Sequence, residues 1–139
     1  IHEFDLLFWF NDFLKIKQHA LFSNHVSHLE LETEDQAGGM FMFENGVLGS
    51  VRSNYLAQDY RRRITIIGER GTLTWDFKEN VVRLHTTTGE EKLLEISNYD
   101  LNTAYIEEVK YFLDCVKRHV STFNDVACAA SVLRYVMPK

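Results

Sequence analysis

The sequence predicts an α+β fold: a mostly antiparallel, open-faced sheet of about six or seven short strands with helices packed on one face. Three observations carry this. From about Leu14 to Ile96 the chain alternates short β-branched and aromatic runs with glycine-centred turns, and strands joined by such short connections pair antiparallel. Both ends instead space their apolar residues as helices do. The chain has 139 residues, 45% apolar and 25% charged, which suits one domain that needs no disulfide or metal staple.

The first element is "IHEFDLLFWF". Phe4, Leu7 and Phe8 recur at helical spacing, as do Leu6, Phe10 and Phe13, so this helix is apolar on most of its circumference and belongs inside a larger assembly. His2 and Asp5 are three residues apart and share its polar side. "KIKQHALF" reads as a first strand, and "GGMFMFENGVLGSVRSNYL" as a hairpin turning at Asn45-Gly46. "RRRITIIG" and "GTLTWDF" follow, joined through Gly68 to Gly71, and then "NVVRLHTTTGEEKLLEI", a hairpin turning at Gly89. A helix capped by Asp100 or Asn102 carries the stripe Tyr105, Val109, Phe112 and Val116 with Ile106 and Leu113 beside it. A second, alanine-rich helix spans about Asn124 to Val136, with Pro138, the only proline, just beyond it.

Charge and cysteine usage narrow the function. A net charge of −5 and a pI near 5.6 argue against nucleic acid or an anionic membrane as the main partner. The first ten residues are too short to span a bilayer and are interrupted by acidic residues, and they show neither the basic start nor the small-residue cleavage site of a signal peptide. Cys115 and Cys128 fall in helical segments and read as free buried thiols, with the cytoplasm as the default compartment.

Most candidate motifs dissolve on inspection. There is no phosphate loop, dinucleotide fingerprint or nucleophile elbow, so no cofactor-binding residue is assigned. His25-x-x-His28, with His19 upstream, lacks an ordered third ligand, and no metal site is assigned. Arg61, Arg62 and Arg63 are consecutive on a strand and cannot form one clamp. In Val47 to Leu56 the even positions Ser50, Arg52 and Asn54 are polar, whereas Val47, Gly49 and Val51 make the better core face. A polar open face of this kind is covered by a partner subunit or walls a site. On that parity Asn54, Gln58 and Arg62 are candidate substrate contacts. His2 is the candidate catalytic residue: an imidazole titrates near working pH, and it sits one turn from a carboxylate at the start of a core-grade helix.

"IHEFDLLFWF" resembles the segment that follows the catalytic turn in the glucose–fructose oxidoreductase, inositol dehydrogenase and MocA family of NAD(P)-dependent sugar and polyol dehydrogenases. His2 and Asp5 match the last two members of its Asp-x-x-x-His-x-x-Asp motif. "FENGVLGSV" resembles its hairpin, "RRRITIIGERGTLTWDFKENVVRLH" its G-x-x-G-T-L-x-W-D signature, and "LNTAYIEEVKYFLDCV" its late helix. The resemblance implies a fold like the C-terminal domain of glyceraldehyde-3-phosphate dehydrogenase. Residues 1–139 would be a single C-terminal domain for substrate binding and dimerisation, with the Rossmann domain, its lysine and the motif aspartate lying ahead of residue 1.

It further implies hydride transfer between NAD or NADP, bound mainly by the other domain, and a sugar, polyol or nucleotide-sugar hydroxyl, with His2 as general base. The isolated chain would then be inactive, and a homo-oligomer would form through the open sheet face. Two alternatives remain open. One is a stand-alone module for small-molecule binding or assembly. The other is a single-domain isomerase or hydratase that uses His2 and Asp5 directly.

Overall fold

The computed structural model describes residues 1–137, so Pro138 lies outside the described residues. Within them the chain is α+β, with seven strands and three helices in the expected order. The strands divide into two antiparallel sheets, of three and four strands, rather than joining into one. Contacts likewise group the described residues into two compact units, residues 1–56 with 120–137 and residues 57–119.

In the first unit α1 (His2–Trp9) precedes β1 (Ile16–Asn24), β2 (Gln36–Phe43) and β3 (Leu48–Asn54), and α3 (Val126–Val136) returns to join them. The sheet order is β1-β2-β3. Phe43 N–H donates to Val47 O at 2.9 Å across the Asn45-Gly46 turn, where Gly46 takes φ +86°, a conformation that glycine adopts without a Cβ penalty. One face of this sheet is the core. Phe41 and Phe43 from β2 meet Phe4 and Phe8 from α1 and Val132 from α3. Phe8 packs edge-on against Phe41 at 5.8 Å and Phe43 at 5.6 Å, and each such pair adds about 0.5–1.5 kcal/mol beyond area burial.

Helix α1 is shorter than its apolar periodicity implies. It stops at Trp9, and the chain reverses through Asp12 and Phe13, both with left-handed φ near 50°. That turn lets Phe13 and Leu14 pack against the core although they have left the helix. Gly49 is buried beneath α1; a Cβ there would stand 2.5 Å from Leu7 Cδ1. The helix therefore lies closer to β3 than any larger residue would allow.

The alternation along β3 follows the parity expected of it. Gly49 is buried and Val51 half-buried, whereas Ser50, Arg52 and Asn54 are exposed. Val47 departs from it, because it belongs to the turn and is exposed.

The second unit is a four-stranded meander, β4 (Arg63–Gly68), β5 (Gly71–Asp76), β6 (Val81–Thr86) and β7 (Gly89–Glu95), followed by α2 (Leu101–Arg118). Trp75 and Phe77 project from the same side of their segment and stack at 3.9 Å. Asp100 caps α2 by accepting from Asn102 N–H at 2.9 Å, and His119 closes it in the left-handed conformation. The stripe Tyr105, Val109, Phe112 and Val116 is exposed along α2. Both cysteines are free thiols, Cys115 buried and Cys128 only partly so.

Candidate functional site

The start of α1 is where the candidate chemistry sits. Glu3 and Asp5 in its first turn oppose the positive end of the helix dipole. Phe4 and Phe8 turn into the core. His2, two residues before Phe4, is left exposed at the helix start.

Asp5 is half-buried and accepts a hydrogen bond on Oδ2 from Asn124 Nδ2 at 3.1 Å, across 119 positions of sequence. Asn124 immediately precedes Asp125, whose side chain caps α3 by accepting from Cys128 N–H. That backbone donor holds the Asp125 carboxyl below its ordinary value. Two further contacts brace the junction. Thr122 Oγ1 donates to the Asn124 carbonyl at 3.1 Å, and the Phe123 ring lies 6.3 Å from that of Trp9. The Asn124 Oδ1 atom is buried with no hydrogen-bond partner.

The arrangement thus differs from a simple His2–Asp5 dyad. Asp5 directs its carboxylate to an amide from the far end of the chain, which fixes its orientation while leaving the imidazole open to solvent. A carboxylate held in this way one helical turn from an imidazole can accept hydroxyl hydrogen bonds beside a proton acceptor. Sequence reasoning missed Asn124. Its one signal was an Asn-Asp pair at a helix start, and either residue of that pair could have been the cap.

The candidate contacts fall elsewhere. Asn54 ends β3 and accepts from Leu56 N–H on Oδ1 at 2.9 Å, which closes the turn out of the strand. Strand alternation puts it on the face opposite the one that α1 packs against. That open face carries a shallow depression lined by Ala20, Phe22, Met40, Ser50 and Arg52 among others. Gln58 and Arg62 belong to the second unit. Gln58 is exposed. The Arg62 guanidinium lies 4.2 Å from the Phe77 ring centroid and extends the Trp75–Phe77 stack, a cation–π contact of about 0.5–2 kcal/mol. Its neighbours are committed separately, Arg61 to Asp59 and Arg63 to Asp76. The Arg63 guanidinium, with backbone donors from Glu79 and Lys78, holds the Asp76 carboxyl below its ordinary value.

The histidines upstream serve other ends. His19 stacks on Phe41 at 6.1 Å and meets Tyr135 edge-on at 5.2 Å. His25 faces two backbone carbonyls. Among the described residues no group of three potential metal ligands converges, and no helix is long and apolar enough to cross a membrane. Every strand pairing among them is antiparallel. The strand–helix–parallel-strand unit that presents a helix N-terminus to a dinucleotide pyrophosphate is therefore not among the described residues, and they do not fit a nicotinamide cofactor on their own.

Comparison with known proteins places this geometry in context. A family model described as the GFO/IDH/MocA C-terminal domain matches residues 1–74. An oxidoreductase of Formosa agariphila is 29% identical over 119 residues, 81% of this chain and 34% of that protein. The chain thus spans about a third of the length of the curated relative it matches.

Solved structures share the fold. A UDP-N-acetylglucosamine 3-dehydrogenase of Acidithiobacillus ferrooxidans is similar with a TM-score of 0.79 at 19% identity, over 96% of this chain and 41% of that one. A biliverdin reductase of Synechocystis, in complex with biliverdin and NADP+, is similar with a TM-score of 0.70 at 18% identity, over 90% of this chain and 40% of that one.

Proposed function

Because the chain belongs to the GFO/IDH/MocA C-terminal domain family, we propose that it is the substrate-binding part of an NAD(P)-dependent oxidoreductase that acts on a sugar, polyol or nucleotide-sugar hydroxyl. The observation that carries this is the exposed His2 at the start of α1, one turn from a carboxylate oriented by Asn124. His2 takes the proton of the substrate hydroxyl as the alcohol is oxidised and returns it when the reaction runs as a reduction. Asp5 accepts a hydrogen bond from a neighbouring hydroxyl and so turns the reacting carbon toward the base. A nicotinamide, when bound, supplies the hydride acceptor. Because the described residues do not fit it, this chain contributes only the alcohol's orientation and its proton acceptor.

A hydroxyl-rich substrate is favoured over an apolar one by the chemistry at α1, where carboxylate, amide and imidazole are gathered. The relative named for a nucleotide sugar agrees with that choice, while the one bound to biliverdin illustrates that the fold alone leaves the substrate open. Asn54, Gln58 and Arg62 are kept as lesser proposals for substrate contacts. The open face of β1-β2-β3 is the proposed surface for a second copy, and the two free thiols suit a cytoplasmic setting.

Two measurements test this. In the longer parent protein, His2→Ala should lower turnover on the preferred alcohol by about 10²–10⁴; a near-native rate would make His2 structural. Titrated with NADH or NADPH, the 139-residue chain alone should give no fluorescence change above background. Clear micromolar binding would overturn the division of labour between this chain and a separate nucleotide-binding domain.

A further inference from the structure

Residues 25–35 connect β1 to β2 without regular structure, and two side chains organise them. Asp35 is fully buried, and its carboxylate accepts from Val26 N–H at 3.1 Å and from Ser27 N–H at 2.8 Å. Its own backbone is tied on both sides, donating to Asn24 O at 3.2 Å and accepting from Tyr55 N–H at 2.9 Å. Asp35 is therefore a fixed floor under the connection. His25 spans its top: Nδ1 lies 3.0 Å from Thr33 O, and Nε2 lies 3.0 Å from Ser27 O.

Both of these partners are carbonyl oxygens, which only accept. A neutral imidazole carries one N–H, so one of the two contacts would set a nitrogen lone pair against an oxygen lone pair. Only the imidazolium donates to both at once. The surrounding charges agree. The Asp35 charge acts on the ring, and Glu32 and Glu34 line the same small hollow as His25, Glu34 accepting from Ser23 Oγ at 3.3 Å. The Thr33 carbonyl, then the Asp35 charge and the Ser27 carbonyl, hold His25 above its ordinary 6.5 against the desolvation that opposes them.

We propose that His25 is a pH-sensitive clip, which as an imidazolium ties Ser27 to Thr33 across the β1–β2 connection and on losing one proton lets residues 28–33 open while Val26 and Ser27 stay on the Asp35 carboxylate. A histidine raised in the closed form gives a contribution fully present below 6.5, and it is lost as pH rises through the raised value. Each pH unit of elevation is a tenfold change in the ratio of closed to open connection.

The test uses the 139-residue chain labelled with ¹⁵N. Imidazole nitrogen shifts of His25 follow its titration, and hydrogen-exchange protection factors of residues 28–33, corrected for intrinsic rates, follow the connection. His25 should titrate above 6.5, with protection falling over the same interval and residues 57–62 unchanged. In His25→Gln residues 28–33 should lose that pH dependence and stay at the low protection of the open form, while Val26 and Ser27 keep their Asp35 partner. His25→Arg, a permanent cation with several donors, should stay protected throughout. A His25 that titrates at or below 6.5, or protection indifferent to pH in the native chain, would overturn the clip. Should His25→Gln not fold, the native titration decides alone.

Discussion

Gly49→Ala asks whether the approach of α1 to the sheet is as close as the geometry states. Gly49 is not among the glycines with positive φ, so its backbone accepts alanine and the whole cost lies in the contact. The new Cβ would stand 2.5 Å from Leu7 Cδ1, 3.1 Å from Cδ2 and 3.2 Å from Cγ. One short contact to a methyl could be relieved by a rotamer change. All three belong to one isobutyl group, so the strain is met either by Leu7 leaving its present rotamer, which swings them away together, or by α1 lifting. Overpacking of this kind costs about 1–3 kcal/mol.

In a Leu7→Ala background the obstructing atoms are gone. The same substitution should then be neutral, or stabilise by up to about 1 kcal/mol through reduced freedom of the unfolded chain. The expected coupling between positions 7 and 49 is therefore about 1–3 kcal/mol. Urea melts of the four variants would measure it, with Trp75→Phe as the common background so that Trp9, the remaining tryptophan, reports the first unit. A Gly49→Ala chain as stable as its parent would refute the close approach. So would an equal loss with and without Leu7, which would place the cost in the strand.

Other outcomes follow from the same contacts. On the proposed function, Asn124→Ala in the longer protein should lower kcat/KM for the alcohol by roughly tenfold, because Asp5 loses the donor that orients it. Asn124→Asp should be worse at neutral pH, since two carboxylates would then face each other; steady-state kinetics of both variants check this. Arg63→Gln should weaken the second unit at neutral pH, read by Trp75 fluorescence in a Trp9→Phe background. The Arg63 guanidinium lowers the Asp76 carboxyl, so that stabilisation is present above the ordinary 3.8 and disappears as pH falls through the lowered value. Native and variant melts should therefore converge in acid.

Much of the fold was legible because its signals are local. Asn45-Gly46 and Gly89 each mark a turn by conformational preference, and Asp100 marks a helix start by what its side chain can accept. Periods of two and of 3.6 located the strands and helices to within a few residues. The first helix was overextended, because Phe10 and Phe13 continue the apolar period while the backbone at Asp12 and Phe13 turns left-handed. Apolar spacing records which residues seek the core. It does not record whether they reach it along a helix or around a turn.

For the candidate site the division is similar. Residue types and spacing singled out His2 and Asp5, and the parity of β3 sorted its core positions from its open face. The partner of Asp5 lies 119 positions away, and no local rule connects the two. Asn54 was polar, exposed and on the open face as expected, and the structure adds that its Oδ1 accepts from Leu56 N–H in the turn out of the strand. His25, an ambiguous imidazole in the sequence, became a clip only when Ser27 and Thr33 were folded onto its two nitrogens. Backbone propensity is a property of neighbours in the chain, and sequence alone determined what depends on it. Hydrogen-bond partners are chosen by proximity in space after the core has closed, so only the tertiary structure could decide what each polar side chain of the site would hold.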